Sequence, residues 1–326
     1  MALVLSDDDV QMGFDWGLAI EALRTAYAGS PETGRYPNRT VARGGVNWFR
    51  TLSGIPADGS PMGVKVIAGA FARRQVSYLI SLFDQDTAEL VALMDGNSIT
   101  GYRTAATSAL AADVLARAGA LQVAVIGSGF EARKHVRALA AVRSLRAVRV
   151  FSPRAESRTK FASELADLGI SIQPAQSAAE AVGGADLVIC AARSYDESPT
   201  MLGEWLAPGA TVVSIGSTVP EQREVDSATI ARADVIIADA RHEVLHETGD
   251  LLAAAADGID ATAKTASLAD LIGGRHPGRE RDDQIAVYKS VGAAIQDLAI
   301  ASMAVAQAAK LGLGSYLPIP VRPVTK

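Results

Sequence analysis

The sequence predicts an α/β protein. A Rossmann-type, doubly wound parallel sheet is joined to a second, α+β domain that the C-terminal helix completes. Short β-branched runs alternate with amphipathic helical stretches from Gln122 onward, a pattern typical of parallel strands with helices on both faces. The first of these runs also ends in Gly127-x-Gly129-x-x-Ala132, a spacing found where a strand turns sharply into a helix.

Five apolar runs in this portion are interpreted as strands, and two amphipathic stretches as helices. The strands are Val123–Gly127, Val148–Phe151, Leu187–Cys190, Thr211–Ile215 and Val235–Ala238. The helices are Glu131–Val142 and Ala155–Leu168. We assign residues 119–290 to this dinucleotide-binding domain.

The rest of the chain has a different pattern, in which strand-like runs are separated by turns. The polar turn Asp84–Ala88 between two such runs predicts an antiparallel hairpin. The runs are Val64–Ala68, Val76–Phe83 and Glu89–Met94, and the predicted helices are Ser6–Ala28, Thr104–Ala118 and Gly292–Leu311. The last helix is apolar nearly all round and should pack on the N-terminal part of the chain, so residues 1–118 and 291–326 are assigned together to the α+β domain.

Composition excludes several classes of protein. Hydrophobic residues make up 49% and charged residues 21% of the 326 residues, as in soluble globular proteins. The net charge of -5 argues against sequence-independent nucleic-acid binding, which needs a basic excess. The single cysteine, Cys190, lies in a strand-like run and is not expected to be a nucleophile. No membrane span or signal peptide is evident, and we expect a cytoplasmic location.

The glycine motif predicts a pyrophosphate-binding loop. Gly127 would make the tight turn, and Gly129 would let the backbone approach the phosphates. Ser128, Phe130 and Glu131 complete the loop and the start of the helix, where backbone N–H groups favour an anion. The alternative is a glycine-containing turn that binds no ligand.

The residues after the second strand bear on the cofactor. An acidic residue there holds the ribose hydroxyls of NAD, whereas a cationic or hydroxyl residue suits a 2′-phosphate. Here the strand runs into Ser152-Pro-Arg154, and Glu156 is expected in the first turn of the next helix. The sequence therefore favours NADP(H), with NAD(H) still possible, and the alternative for Arg154 is a solvated turn residue.

Three cations precede the nucleotide domain in suggestive places. Arg39 lies in a loop, Lys65 lies inside the apolar run Met62–Ile67, and Arg103 is placed at the start of a long helix. A charge within an apolar strand is costly unless it is paired or used. Together the three could bind a carboxylate. Alternatively, Arg39 is a surface charge, Lys65 an edge-strand residue whose amine reaches solvent, and Arg103 a structural ion-pair partner.

Asp226 is a further candidate, because it lies in the segment Gly216–Asp226 after a predicted strand, at the sheet edge where ligands bind in this architecture. It could exchange a proton with a cationic imine. On sequence alone the N-cap of a helix over Ser227–Ala233 is the favoured interpretation.

His242 and His246 are spaced by one helical turn without a third ligand, so no metal is expected.

Taken together, several segments resemble the ornithine cyclodeaminase/μ-crystallin family, and the resemblance covers nearly the whole chain. They are Pro37–Val41, Met62–Ile67, Met94–Ala109, Gly127–His135, Gly216–Asp226, Glu247–Leu251 and Tyr288–Asp297. The resemblance implies a homodimer in which the α+β domain, completed by the C-terminal helix, handles dimerisation and substrate. It also implies that Arg39, Lys65 and Arg103 surround a substrate carboxylate and that Lys65 and Asp226 are catalytic. By the same resemblance, Val291 and Gly292 line the substrate pocket.

The chain departs from the family pattern in two segments beside the expected substrate. Relatives often carry a Met-Pro pair where this chain has Leu52–Pro56, and the segment Ala68–Gln75 lacks the usual Pro/Asn-rich character. The substrate side chain is therefore left open.

The function we expect is reduction of the C=N bond of an α-imino acid by NAD(P)H, or the reverse dehydrogenation. The imine is either a cyclic ketimine or the product of an oxo acid and an amine. Two alternatives remain: an NAD-dependent ornithine- or lysine-type cyclodeaminase, and a non-catalytic NADPH-binding protein.

Overall fold

The computed structural model describes residues 1–29, 34–192, 196, 198–318 and 321–325. The chain forms two compact units, Met1–Arg103 with Ala293–Lys326, and Thr104–Gly292. The strands are β1 (Leu3–Leu5), β2 (Thr40–Gly44), β3 (Asn47–Gly54), β4 (Met62–Ala70), β5 (Gln75–Phe83), β6 (Leu90–Asp95), β7 (Leu121–Ile126), β8 (Leu145–Phe151), β9 (Ile172–Pro174), β10 (Leu187–Cys190), β11 (Thr211–Ser214), β12 (Val235–Ala238), β13 (Thr265–Ser267), β14 (Ala286–Lys289) and β15 (Ser315–Tyr316).

Helices connect most of these strands. The α-helices are α1 (Asp7–Met12), α2 (Trp16–Ala28), α3 (Asn97–Leu115), α4 (Phe130–Ala140), α5 (Ala155–Glu164), α6 (Ala178–Val182), α7 (Ser227–Arg232), α8 (Arg241–Glu247), α9 (Gly249–Ala256), α10 (Leu268–Ile272) and α11 (Ala294–Leu311). Single 3₁₀ turns occupy Phe71–Arg73, Ala166–Leu168, Gly203–Trp205 and Thr262–Lys264. No helix of the described residues is both long and apolar enough to cross a membrane.

The second unit contains the predicted parallel sheet. Its strand order is β13-β12-β14-β11-β10-β7-β8-β9, and all of its strand pairs are parallel. Every residue of β10, β11, β12 and β14 is buried, as expected for strands covered by helices on both faces. The α/β fold class is confirmed, and β10 and β12 have the predicted bounds.

Three strands of this sheet were not predicted. β9 and β13 are three-residue edge strands, too short to give a periodic signal. β14 lies between β11 and β12 in the middle of the sheet. Its last residue is Lys289, whose side chain is fully buried, and this charge interrupts the apolar run by which a buried strand is recognised.

The first unit is built on a seven-stranded mixed sheet of order β15-β1-β6-β5-β4-β3-β2. The predicted β5–β6 hairpin is confirmed: the Asp84 N–H donates to the Glu89 carbonyl at 2.9 Å and Ala88 adopts a φ of 57°. A second hairpin, β2–β3, was not predicted. Leu52, Lys65 and Ile80 stand opposite one another on the buried face of this sheet.

Helix boundaries correct two predictions. The segment predicted as one helix from Ser6 is two helices, because Ser6 and Asp15 each accept a hydrogen bond as an N-cap. The long helix begins at Asn97 rather than Thr104. Arg103 therefore lies in its second turn, and the placement of Arg103 at the start of the helix is wrong.

The unit boundaries also differ from those assigned from the sequence. They fall after Arg103 and after Gly292, within α3 and just before α11. The later part of α3 belongs to the second unit because its side chains pack there: the Ser108 hydroxyl lies 3.0 Å from His135 Nε2 of α4.

Candidate functional site

A buried ion pair occupies the centre of the first unit. Lys65 Nζ lies 2.8 Å from Asp297 Oδ1, and both side chains are fully buried. Strand β4 presents Lys65 on the inner face of the sheet, and Asp297 lies in the first turn of α11, where the helix dipole favours a carboxylate. The sequence pattern singled out Lys65 but missed Asp297, although an acid in an otherwise apolar helix is itself a signal.

Arg103 joins the same carboxylate. Its Nε lies 3.2 Å from Asp297 Oδ1, and its Nη1 donates to Gln296 Oε1 at 2.7 Å. Gln296 in turn donates to the Tyr27 hydroxyl at 2.9 Å. The structure thus brings Lys65 and Arg103 together through Asp297, and it links β4, α2, α3 and α11 by hydrogen bonds between buried groups. We call Lys65, Arg103 and Asp297 the cation cluster.

Burial changes the acidity of the lysine. Burial lowers the pKa of Lys65 to about 8, with Arg103 and Arg50 also lowering it and Asp297 opposing the change. The ammonium form therefore predominates at pH 7, but its proton is lost more readily than that of a solvated lysine. Such a group can donate a proton near neutral pH.

Arg39, the third predicted cation, lies in the loop directly before β2 and is half-buried. Its convergence on the cation cluster remains a prediction.

The glycine loop of the second unit has the geometry of an anion site. Gly127 adopts a φ of 109°, and a Cβ there would lie 2.5 Å from the Ala191 carbonyl oxygen. Gly129 is the N-cap of α4 and provides no side-chain cap, while a Cβ on Gly129 would meet no heavy atom within 4 Å. The first N–H groups of a helix lack helical partners, so this open space in front of α4 fits a dinucleotide pyrophosphate.

The predicted cofactor-selecting residues lie beside this loop. The Ser128 hydroxyl donates to Ser152 Oγ at 2.9 Å, and Arg158 Nη1 donates to the Ser152 carbonyl at 2.6 Å. Arg154 is exposed at the N-cap of α5. Glu156 lies in the first turn of α5, as predicted. The end of β8 thus presents a hydroxyl and a cation rather than an acid.

The carboxyl ends of β11 and β14 hold a buried charge network that sequence reasoning missed. Lys289 Nζ lies 2.8 Å from Asp250 Oδ2 and donates to the Ser214 hydroxyl at 2.9 Å. Ser214 donates to Glu224 Oε2 at 2.7 Å. Burial raises the pKa of Glu224 to about 7, with Lys289 opposing the change. Cys190 of β10 is also buried, and burial raises its thiol pKa, as fits a structural residue.

Asp226 caps a helix in the structure. Its Oδ1 accepts hydrogen bonds from the Thr229 N–H at 2.9 Å, the Thr229 hydroxyl at 2.7 Å and the Gly203 N–H at 2.9 Å. This is the N-cap role that the sequence favoured, while a catalytic role for Asp226 remains a prediction.

Val291 and Gly292 form a turn held by one carboxylate. Their N–H groups donate to Asp239 Oδ1 at 3.0 Å and to Oδ2 at 2.9 Å, and Gly292 adopts a φ of 86°. Contact of this turn with a substrate remains a prediction.

Comparison with known proteins places these features in a family. The model of the ornithine cyclodeaminase/mu-crystallin family matches residues 57–310. The chain is 34% identical to the ketimine reductase mu-crystallin of Mus musculus, over 69% of the chain and 67% of that relative. It is 30% identical to a Delta(1)-pyrroline-2-carboxylate reductase of Bacillus cereus, over 78% of the chain and 80% of that relative.

A solved structure shares the fold over nearly the whole chain. It is the Delta(1)-pyrroline-2-carboxylate reductase of Thermococcus litoralis in complex with NADH and L-proline. The TM-score is 0.89 at 29% identity, and the match covers 97% of this chain and 100% of the other.

We expect substitutions of Asp297 and of Lys65 in the cation cluster to reduce stability by different amounts. Asp297→Asn leaves Lys65 and Arg103 as adjacent buried cations, and uncompensated buried charge costs about 3–5 kcal/mol. Lys65→Met leaves Asp297 paired with Arg103, so we expect a smaller loss of unfolding free energy. Urea unfolding of both variants measures the difference. A larger loss in Lys65→Met would contradict this description of the cluster.

We expect substitutions of the two loop glycines to have different effects on folding and on ligand binding. Gly127→Ala sets a Cβ against the Ala191 carbonyl at positive φ, and such backbone strain costs about 1–3 kcal/mol. Gly129→Ala should lower the melting temperature less than Gly127→Ala does, because the new Cβ meets no protein atom and only the weaker N-cap preference of alanine is felt, but it should weaken NAD(P)H binding by filling the open space. Calorimetric melting and NAD(P)H fluorescence titration distinguish them. Unchanged affinity in Gly129→Ala would count against a pyrophosphate at this loop.

Proposed function

The chain belongs to the ornithine cyclodeaminase/mu-crystallin family, and from this premise we propose that it is an NAD(P)H-dependent oxidoreductase. It reduces the C=N bond of an α-imino acid to the amino acid, or catalyses the reverse dehydrogenation. The reductase names of its relatives support the reaction class. The observation that carries the proposal is the cation cluster, because a buried ammonium and a buried guanidinium converge on one carboxylate.

Two neighbouring cations suit a carboxylate substrate. The carboxylate of an α-imino acid is an anion that such cations bind through charge-assisted hydrogen bonds. Arginine stays protonated at all accessible pH values and binds carboxylates with a planar fork of donors. We therefore assign the substrate carboxylate to Arg103, with Arg39 as an additional predicted contact.

Reduction of C=N to CH–NH requires a hydride at carbon and a proton at nitrogen. A bound nicotinamide supplies the hydride. The proton must come from the protein or solvent, and Lys65 carries one at Nζ with a pKa near 8, close to the value that favours general-acid catalysis at neutral pH. We assign the proton to Lys65, because Asp226 Oδ1 already accepts three hydrogen bonds.

NADP(H) is the cofactor that we propose for this chain. The support is the exposed Arg154 and the Ser152 hydroxyl at the end of β8, where an NAD-preferring site would carry an acid. The Thermococcus litoralis relative was solved with NADH, so the preference must be measured for this chain.

A homodimer is proposed from an exposed sheet face of the first unit. Phe49, Ala68 and Leu79 lie on the same face of the β2–β5 sheet by register, and Phe49 and Leu79 are 48% and 49% exposed. Contiguous apolar surface of this kind is typical of protein contacts. Light scattering should give twice the chain mass, and a monomer would overturn the proposal.

A cytoplasmic location likewise remains a prediction.

The reaction is tested by following NADPH absorbance with cyclic ketimine acids, and with oxo acids offered together with ammonia or methylamine. We expect stoichiometric NADPH oxidation that is lost in Lys65→Met and retained in Asp226→Asn, because asparagine can replace the capping carboxylate. Loss in Asp226→Asn with unchanged folding would transfer the proton role to Asp226. Ammonia release from ornithine or lysine without net cofactor oxidation would establish a cyclodeaminase instead.

The pH profile tests Lys65 as the proton donor. The donor must be protonated, so kcat/KM for reduction should be level below pH about 8 and fall above it, tenfold per pH unit. Asp297→Asn should move this fall to lower pH, because Asp297 raises the pKa of Lys65. Lys65→Arg should lose most of the activity, because arginine does not release its proton in this range, and its residual rate should not fall near pH 8. A fall that is unchanged in Lys65→Arg would contradict the assignment.

Cofactor preference is tested at Arg154. Arg154→Ala should lower kcat/KM for NADPH by about tenfold, the value of one exposed charge–phosphate contact of roughly 1.4 kcal/mol, and should leave the NADH value unchanged. Lys160→Ala on the same helix is the matched control, because Lys160 is also an exposed cation. Equal losses with both cofactors would contradict a 2′-phosphate contact.

A further inference from the structure

The buried charge network at the carboxyl edge of the parallel sheet closes on itself. Lys289 bonds to Ser214, Ser214 to Glu224, and the Glu224 N–H donates to Asp250 Oδ1 at 2.7 Å. The Asp250 carboxylate then returns to Lys289. All four side chains are fully buried. Leaving such groups unpaired would be costly, so the network holds the ends of β11 and β14 and the start of α9 in one arrangement.

Glu224 extends this network to two loops. Its Oε1 accepts a hydrogen bond from the Ala192 N–H, two residues after β10, at 3.2 Å. Its Oε2 accepts one from the Gly216 N–H, two residues after β11, at 2.8 Å. Gly216 has to be a glycine here, because a Cβ would lie 2.3 Å from Glu224 Oε1. One carboxylate thus sets the positions of Ala192 and Gly216 at the edge of the sheet.

The loop after β10 also forms one wall of the glycine turn. The Ala191 carbonyl oxygen would be only 2.5 Å from a Cβ on Gly127, so the two segments are closely packed. The residue that Glu224 holds, Ala192, is the next one along. A displacement of Ala192 would therefore be transmitted to the turn in which Gly127 stands.

We propose that Glu224 is a positioning residue for dinucleotide binding, whose ionised carboxylate holds Ala192 and Gly216 in place and thereby keeps Ala191 against the glycine turn. This inference rests on the proposed function, because it requires that the second unit binds NAD(P)H. Glu224 is fully buried and acts through the backbone N–H groups that donate hydrogen bonds to it.

The ionisation of Glu224 matters because backbone N–H groups can only donate. A carboxylate accepts from Ala192, Gly216 and Ser214 together, whereas a protonated carboxyl group has a poorer acceptor oxygen. The charged and titratable groups around it are Lys289 from β14, Asp250 from α9 and Cys190 from β10. Since burial places the pKa of Glu224 at about 7, acidification through pH 7 should weaken its hydrogen bonds to Ala192 and Gly216.

The experiment compares NADPH affinity by fluorescence titration from pH 5.5 to 8.5 in the wild type and Glu224→Gln. Glutamine must set its NH₂ group against one of the two backbone N–H groups. We expect a Kd at least about tenfold higher at pH 8, the value of a lost hydrogen bond to a charged group. The wild-type Kd should rise below pH 7, and the Kd of Glu224→Gln should not. Glu221→Gln, an exposed acid of the same segment, is the control for charge and for the titration of NADPH itself.

The outcomes separate this inference from the proposed function. A wild type that binds neither NADPH nor NADH overturns the proposed function. A folded Glu224→Gln with the wild-type Kd and pH profile overturns the positioning role alone. If circular dichroism shows that Glu224→Gln does not fold, Ser214→Ala decides: the Ser214 hydrogen bond lowers the pKa of Glu224, so the rise in Kd should begin at higher pH. An unshifted profile in Ser214→Ala overturns the role.

Discussion

The pairing of Asp297 with Lys65 and Arg103 is the interaction on which the first unit depends. One buried carboxylate oxygen holds an ammonium at 2.8 Å and a guanidinium at 3.2 Å, so the C-terminal helix is fastened to β4 and α3. Lys65 and Asp297 are separated by 232 residues in the chain. Burial of the same lysine lowers its pKa to about 8, although Asp297 opposes the change, and the proposed chemistry depends on this lowered pKa.

The second unit also contains buried charged groups, and they lie at one edge of its parallel sheet. Helices cover both faces of this sheet, so polar groups are found at the carboxyl ends of the strands. One part of that edge is an open glycine turn, and another is filled by a closed network of buried charges around Glu224 and Lys289. The first provides space for an anion, while the second gives the neighbouring loops a defined position. Binding space and structural order are thus supplied by different residues of one sheet edge.

Local patterns in the sequence predicted the parallel sheet, the β5–β6 hairpin and the glycine turn, because each depends on neighbouring residues. The central strand β14 and the partners Asp297 and Glu224 were missed, since burial of charge becomes favourable only when a distant partner is present. Arg103 was identified but misplaced at a helix start, because the polar segment before it gave no apolar periodicity. Family resemblance pointed to Asp226, whose local hydrogen bonds are those of a cap.

The most direct test of imine reduction is the fate of a labelled hydride. The reaction is run with NADPH deuterated at the transferable position of the nicotinamide, together with whichever imino acid is turned over, and the product is analysed by mass spectrometry. The account predicts one deuterium at the α-carbon of the amino acid for each NADPH oxidised. An unlabelled product, formed with release of ammonia and no net oxidation of NADPH, would contradict it.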